Sequence, residues 1–569
     1  MKSILWRLFV ATNLQKAIQL YNEKQFPKAA KLLIKDKSPC KDSLKLLMMV
    51  EFDSGNHIKA IISAKKLLNK TYVKVYVKDA CNTIRICCQN IKDKSMELEY
   101  TEKSVLTDSS ESNVQAIYQL LLLYFQEQMF VKIEELAKIL LQWPVCRASV
   151  TFILIELASK QGNKKLLIER LESTPDYYDE FNLKQFGVII ELCIYAKLFK
   201  RAEKTLKYTI DKFGCDGTPL KIAILLAQKN ILGAKQYWQQ HKHLLEPFDS
   251  SYFEAKIACA ENDHNTEYLA LTSAAEGKKQ FDLKDIKPND QPNLINLFNI
   301  SLPKLSALPL DNADNFGDKN TFILGFPRSG TTLLDNILDT QSDMLVLSEK
   351  LVLIHLIKTF KTFKNYPLDI HKLKTEEIKL LRQRYFQHIS EQGYELPLSN
   401  IIIEKDPHLT EALPFIKRIF PAAKIIITLR HPLDVCLSCF QSYFVSNVYN
   451  SQLVTMEDIV NRYIDVFTLL ERYENELSIK PNFIRYEDLV TDIQGEMTKV
   501  FNYMKVKPND DYLLFHEHAD NKFVTSASRG QTNQPLYTSS MYKWKNYDDH
   551  LDPYKEKLRY FIEKFGYDV

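Results

Sequence analysis

The octapeptide Gly325-Phe326-Pro327-Arg328-Ser329-Gly330-Thr331-Thr332 constrains this chain more than any other stretch. It follows the apolar run Phe322-Ile323-Leu324 and precedes Leu333-Leu334-Asp335-Asn336-Ile337-Leu338, which has helical character. Strand, glycine-bounded loop, helix is the layout of a phosphate cradle. Loop N–H groups and the positive end of the helix face an anion. The two glycines keep the spacing of G-x-x-x-x-G-K-[ST]. Thr331 stands where that motif has its lysine, and Arg328 supplies a cation inside the loop. The expected ligand is a phosphate-bearing donor other than ATP.

A chain of 569 residues implies roughly two to four domains. Its 75 basic and 71 acidic residues nearly cancel, which argues against nucleic acid as a partner. Fourteen glycines are few for this length and predict a mostly helical protein. Ten cysteines without framework spacing predict a reducing, cytoplasmic setting. Cys436 and Cys439 lie in a helical pattern with no second ligand pair and read as packing residues. No apolar run approaches the ~20 residues of a membrane span. The run Ile4–Val10 is broken by Arg7, so neither a signal peptide nor an anchor is expected.

Residues 1–282 read as helix after helix. A turn, a basic residue and an alanine recur, as in Lys28-Ala29, Lys59-Ala60 and Arg201-Ala202. With Ile133, Leu166 and Ala234 as weaker copies, the steps cluster near ~34 residues, the period of tetratricopeptide-type helix pairs. The region resembles that family in degenerate form. Residues 283–319, rich in Pro, Asn and Asp, read as a linker. From 320 to 569 apolar runs at 321–325, 344–347, 400–404, 424–429 and 482–486 alternate with helical patterns. That predicts a doubly wound parallel α/β domain with its ligands at the strands' carboxyl ends.

A second motif lies in this part. The run Lys424–Leu429 delivers Arg430, Pro432 opens a helix, and Ser438 follows two turns later. A guanidinium and a hydroxyl so placed can hold a phosphate.

The loop and the Arg430–Ser438 pair together resemble the sulfotransferase family, over residues 320–569. The likeness is strongest to tyrosylprotein sulfotransferases and to bacterial enzymes with helical repeats before a sulfotransferase domain. It implies 3'-phosphoadenosine 5'-phosphosulfate as co-substrate, with no metal required. By this resemblance Arg328, Ser329, Gly330, Thr331 and Thr332 hold the 5'-phosphosulfate, and Arg430 and Ser438 the 3'-phosphate. Glu349, after the second strand, matches the family's catalytic base. Lys405, in Glu404-Lys405-Asp406-Pro407, matches the lysine that contacts the transferring group. Tyr486 belongs to a matching Tyr-Glu-Asp-Leu segment, while Ser526, Ser528, Lys543 and Trp544 resemble the loop that closes over the nucleotide. His408 and His431 rank below Glu349 as bases. The sequence departs from the tyrosylprotein enzymes after Glu349: Lys350 and Leu351 replace a Thr-Arg pair whose arginine reads acidic residues near the target tyrosine.

These residue types suit sulfuryl transfer. As in phosphoryl transfer, positioning and charge stabilisation dominate. One well-placed donor contributes ~3 kcal/mol, and a base such as Glu349 a factor of ~10²–10⁴. The expected acceptor carries a hydroxyl: a peptide tyrosine, a saccharide or a small phenol. The concave surface of a repeat array is a candidate site for a protein partner. Two rival readings are a P-loop kinase or nucleotide triphosphatase and a non-enzymatic repeat scaffold. The first lacks the loop lysine, and the second predicts broken site residues.

Overall fold

The computed structural model describes residues 13–35, 39–91, 94–107, 114–175, 180–282, 294–306, 316–395, 401–442, 452–519, 536 and 538–568. The chain packs as two compact units, 1–151 with 391–393, and 152–390 with 394–569.

The helices up to Asp282 come as hairpins, for example Lys41–Asp53 with His57–Leu68, and Leu183–Tyr195 with Phe199–Phe213. The physical repeat is sharper than the sequence pattern. Two residues before the second helix the backbone turns left-handed, at Lys24, Gly55, Gln128, Gly162, Lys197, Lys229 and Asn262. The fourth residue of that helix is fully buried: Ala29, Ala60, Ile133, Leu167, Ala202 and Ala234 are all 0% exposed. A small or apolar residue there lets the paired helices close on each other. The structure corrects the expected register by one residue in one copy. Asn163 caps the helix by accepting from the Leu166 backbone N–H. Leu167, not Leu166, therefore takes the buried place.

Within the expected connector, Leu294–Ser306 forms a helix that buries Phe298 and Leu302 in the core of the second unit. The rest of 283–315 lies outside the described residues. Among the described residues no helix is long and apolar enough to cross a membrane.

The second unit holds a five-stranded parallel sheet. Its strands are β1 (Asn320–Gly325), β2 (Met344–Ser348), β3 (Ile401–Lys405), β4 (Lys424–Leu429) and β5 (Asn482–Arg485). The order is β2-β3-β1-β4-β5, so all carboxyl ends share one edge. β1 lies at the centre and is buried throughout, as its unbroken apolar run predicts.

At the end of β3, two successive buried residues face opposite layers. Glu404 accepts from the Leu353 N–H at 2.8 Å and from the Tyr385 hydroxyl at 3.1 Å. It thereby caps the first turn of helix Val352–Lys361. Burial pushes its carboxyl up to about 7. The folded state thus holds this proton more tightly than the unfolded chain. Stability from this group is fully present below the ordinary carboxylate range and is lost as pH rises toward 7. Glu404→Gln should therefore melt higher than the native chain at about pH 8 and lose that advantage near pH 4.5, a differential on the order of 3 kcal/mol. Melting curves that keep a constant separation across that range would rule out this assignment.

Candidate active site

Each motif leaves the sheet at the same edge. β1 ends in Gly325, whose N–H donates to the Thr410 hydroxyl at 2.9 Å and whose carbonyl accepts from it at 2.6 Å. The loop then turns left-handed at Arg328 (φ 71°) and Gly330 (φ 102°). A Cβ on Gly330 would meet the Tyr486 ring at 2.9 Å, so only glycine fits. The Ser329 hydroxyl bonds that of Thr428 on β4 at 2.7 Å. Thr331 and Thr332 open the buried helix Thr331–Leu338 with their N–H groups at the loop.

Arg328 Nε donates to Ser438 Oγ at 3.0 Å, which joins the two sequence motifs directly. Arg430 donates to the carbonyls of Arg328 and Ser540. Its guanidinium lies 4.9 Å from the Tyr486 ring centre and 3.8 Å from Asp434. Asp434 in turn accepts from the Tyr542 and Trp544 N–H groups at 2.7 and 2.8 Å. Burial pushes the Asp434 carboxyl up to about 6, against the pull of Arg430. Arg430 Nε is buried and has no partner among the described residues. An unpaired guanidinium donor beside a glycine-only loop fits an anion, and a nucleotide phosphate suits it.

The Lys405 ammonium, 1% exposed, lies 2.6 Å from Glu349 and 3.3 Å from Asp335. The Ser348 hydroxyl also donates to Asp335, at 2.8 Å. Glu349 itself is left-handed (φ 53°), and its N–H is held by the Lys405 carbonyl at 2.9 Å. Burial raises the Glu349 carboxyl, but Lys405, with His408 and Lys350 beyond, outweighs burial and holds it below the usual value. Burial likewise works against the Lys405 charge, yet Asp335 and Glu349 raise its pKa above the ordinary lysine value. At neutral pH the pair is a carboxylate and an ammonium.

Lys350 is buried, with burial lowering it to about 8, and it donates to the Lys160 carbonyl at 2.7 Å. Its charge is spent inside the fold, at the end of helix Pro144–Gln161. His431 is 0% exposed and faces the Asp568 carbonyl at 3.0 Å, with burial lowering it to about 4. It stacks on Trp544, whose ring is buried, and so both rings brace the fold. Lys543 begins the short helical segment Lys543–Tyr547 beside them. His408 lines a small cleft with Phe326, Pro327, Glu411 and Arg462. Ser526 and Ser528 lie outside the described residues.

The sequence reading missed Asp335, Thr410, Thr428 and Asp434. Two acids inside short, largely apolar helices were the available signal. The threonines carried none, since β-branched residues are ordinary next to strands.

Residues 320–510, about a third of the chain, match the sulfotransferase family profile. This segment is a sulfotransferase-family domain. An uncharacterized protein of Aquifex aeolicus (strain VF5) is 25% identical over 255 residues, which cover 43% of this chain and 32% of that protein. Protein-tyrosine sulfotransferase A of Caenorhabditis elegans is 22% identical over 261 residues, 43% of this chain and 66% of its own length. Among solved structures, the sulfotransferase domain from the curacin biosynthetic pathway aligns with TM-score 0.31 and 20% identity, over 44% of this chain and 98% of that domain.

Lys405→Met would leave two carboxylates facing each other in a buried site, a change that costs about 3–5 kcal/mol when one partner of a buried pair is removed. The expected loss is large at about pH 7.5 and smaller near pH 5, where the carboxyls take up protons. Denaturant titrations at both values check this; equal losses would mean that Lys405 does not hold the charge balance.

Proposed function

We propose that this protein moves a sulfuryl group from 3'-phosphoadenosine 5'-phosphosulfate to an acceptor hydroxyl. Convergence is the observation that carries the reading. Arg328, Ser438 and Arg430 meet at the glycine loop, while the Glu349–Lys405 pair sits on the same sheet edge. Residues 320–569 are the proposed catalytic domain, residues 1–282 the repeat domain, and 283–319 the linker.

In this reading the loop N–H groups, Arg328, Ser329, Thr331 and Thr332 bind the 5'-phosphosulfate. Arg430 and Ser438 take the 3'-phosphate, with Tyr486 packed beside them. Ser526, Ser528, Lys543 and Trp544 belong to the closing segment. The Glu349 carboxylate accepts the acceptor's hydroxyl proton as the acceptor oxygen bonds to sulfur. The bond from sulfur to the phosphate oxygen breaks, and the charge left on that oxygen is met by Arg328 and Lys405. A depressed carboxyl pKa keeps Glu349 ionised at neutral pH, with a lone pair open to the proton. Protein tyrosine is one acceptor this chemistry admits, beside a saccharide or small phenol. Lys350, held by a backbone carbonyl, offers no free charge to acidic residues flanking a tyrosine. The repeats supply a surface for the acceptor or a protein partner. Ten free cysteines suit a reducing, cytoplasmic setting.

Calorimetry with adenosine 3',5'-bisphosphate and with ATP plus magnesium separates this reading from a P-loop kinase. Tight binding is expected for the bisphosphate alone, and a preference for ATP would overturn the proposal. Glu349→Ala is expected to keep bisphosphate affinity and lower turnover by about 10²–10⁴ on whichever acceptor of a phenol, saccharide and tyrosyl-peptide panel accepts label. Full turnover in that variant would place the base elsewhere.

A further inference from the structure

The fourth residue of each hairpin's second helix is the point of closest helix packing. In the last hairpin, Pro247–Glu261 with His264–Asp282, that place holds Glu267, 3% exposed. A carboxylate at a position filled in six other hairpins by Ala, Ile or Leu needs a reason, because burying it unpaired is costly. The other acid at this place, Glu97, is bonded inside its own hairpin, to Gln89 at 2.7 Å. Glu267 instead reaches out of the repeats. It accepts from Gln441 Nε2 at 2.8 Å and from the Tyr547 hydroxyl at 2.6 Å. Gln441 also bonds the Tyr547 hydroxyl at 3.0 Å, and His264 Nδ1 meets that hydroxyl at 3.0 Å. From the facing helix of the same hairpin, Lys256 donates to the Gln441 carbonyl at 3.0 Å.

Both outside partners belong to segments of the candidate nucleotide site. Gln441 is the C-terminal cap of helix Pro432–Phe440, which carries Ser438 within its last turn. Tyr547 ends the segment Lys543–Tyr547. Asp434 already ties these two segments at the helix's other end, through Tyr542 and Trp544. The two segments are thus fastened twice, once from inside the α/β domain and once from the repeats.

We propose that Glu267, supported by Lys256, is a positioning residue for the 3'-phosphate subsite, so that the last helical repeat is part of the nucleotide site. This rests on the sulfonucleotide reading above. Without Glu267, Gln441 and Tyr547 lose their common acceptor, and the helix end bearing Ser438 is free to shift from the Arg328 guanidinium. A contact with the 5' end of the nucleotide does not depend on this fastening.

The test uses the full chain and calorimetry with adenosine 3',5'-bisphosphate and adenosine 5'-monophosphate. The native chain should prefer the bisphosphate. Glu267→Ala should weaken bisphosphate binding by about tenfold or more, with the monophosphate changed by less than about threefold, the loss expected for one charge-assisted hydrogen bond. Glu267→Gln, which keeps an acceptor and a donor in place, should restore most of the preference. If Glu267→Ala does not fold, Lys256→Met removes the cap on the Gln441 carbonyl, with the contact to the Tyr252 ring, and should reduce the same preference. Equal weakening of both nucleotides, or an unchanged preference in Glu267→Ala and Lys256→Met, overturns the positioning role alone. Failure of the native chain to bind the bisphosphate overturns the nucleotide reading, and this role with it.

Discussion

The Lys405 ammonium, sealed between Glu349 and Asp335, is the contact on which the rest of the site depends. A cation so far from water is tolerable only with charge partners and good geometry. Those partners come from two places, the loop after β2 and the helix after the glycine loop, and the lysine itself ends β3. One ammonium therefore fixes three elements at the sheet edge. It also sets the proton state of Glu349, because the field that anchors the lysine keeps the carboxylate ionised. Architecture and reactivity share one interaction.

Arg328 plays the corresponding part on the other side of the loop. Its bond to Ser438 ties β1's loop to the helix after β4, and Arg430 returns the tie through the Arg328 carbonyl. The glycine loop is braced on its other flank by the hydroxyls of Thr410 and Thr428. A cradle held from both sides is preorganised, and preorganised donors lose little when charge develops.

Much of this was legible in the chain. The five strands, their parallel sense and the loop's place at a carboxyl edge followed from apolar runs alternating with helical patterns. The pairing of Arg328 with Ser438 did not, since 110 positions separate them and only the sheet order brings them together. Asp335 looked like one polar residue on a helix; its meaning needed Lys405. The repeats show the opposite case. Their alanines gave the period, but the left-handed turns fell mostly on Lys, Gln and Asn. Only two of seven are glycine, so the usual turn signal was silent. The register slip between Leu166 and Leu167 has another source: the hairpin turns at Gly162, and two adjacent leucines are alternatives until the Asn163 cap sets the helix start.

Glu404 and Lys405 have a joint consequence for folding. Adjacent on one strand, they point to opposite layers, an acid against Tyr385 and a base against Asp335 and Glu349. Sliding β3 by one residue would exchange them. The lysine would then face the tyrosine layer without a carboxylate, and three acids would crowd one pocket. No hydrophobic strand could make misalignment so unfavourable, because Ile and Val are nearly interchangeable between two apolar layers. The charged doublet acts as a built-in proofreader of strand alignment, at the spot where alignment decides which groups gather at the sheet edge.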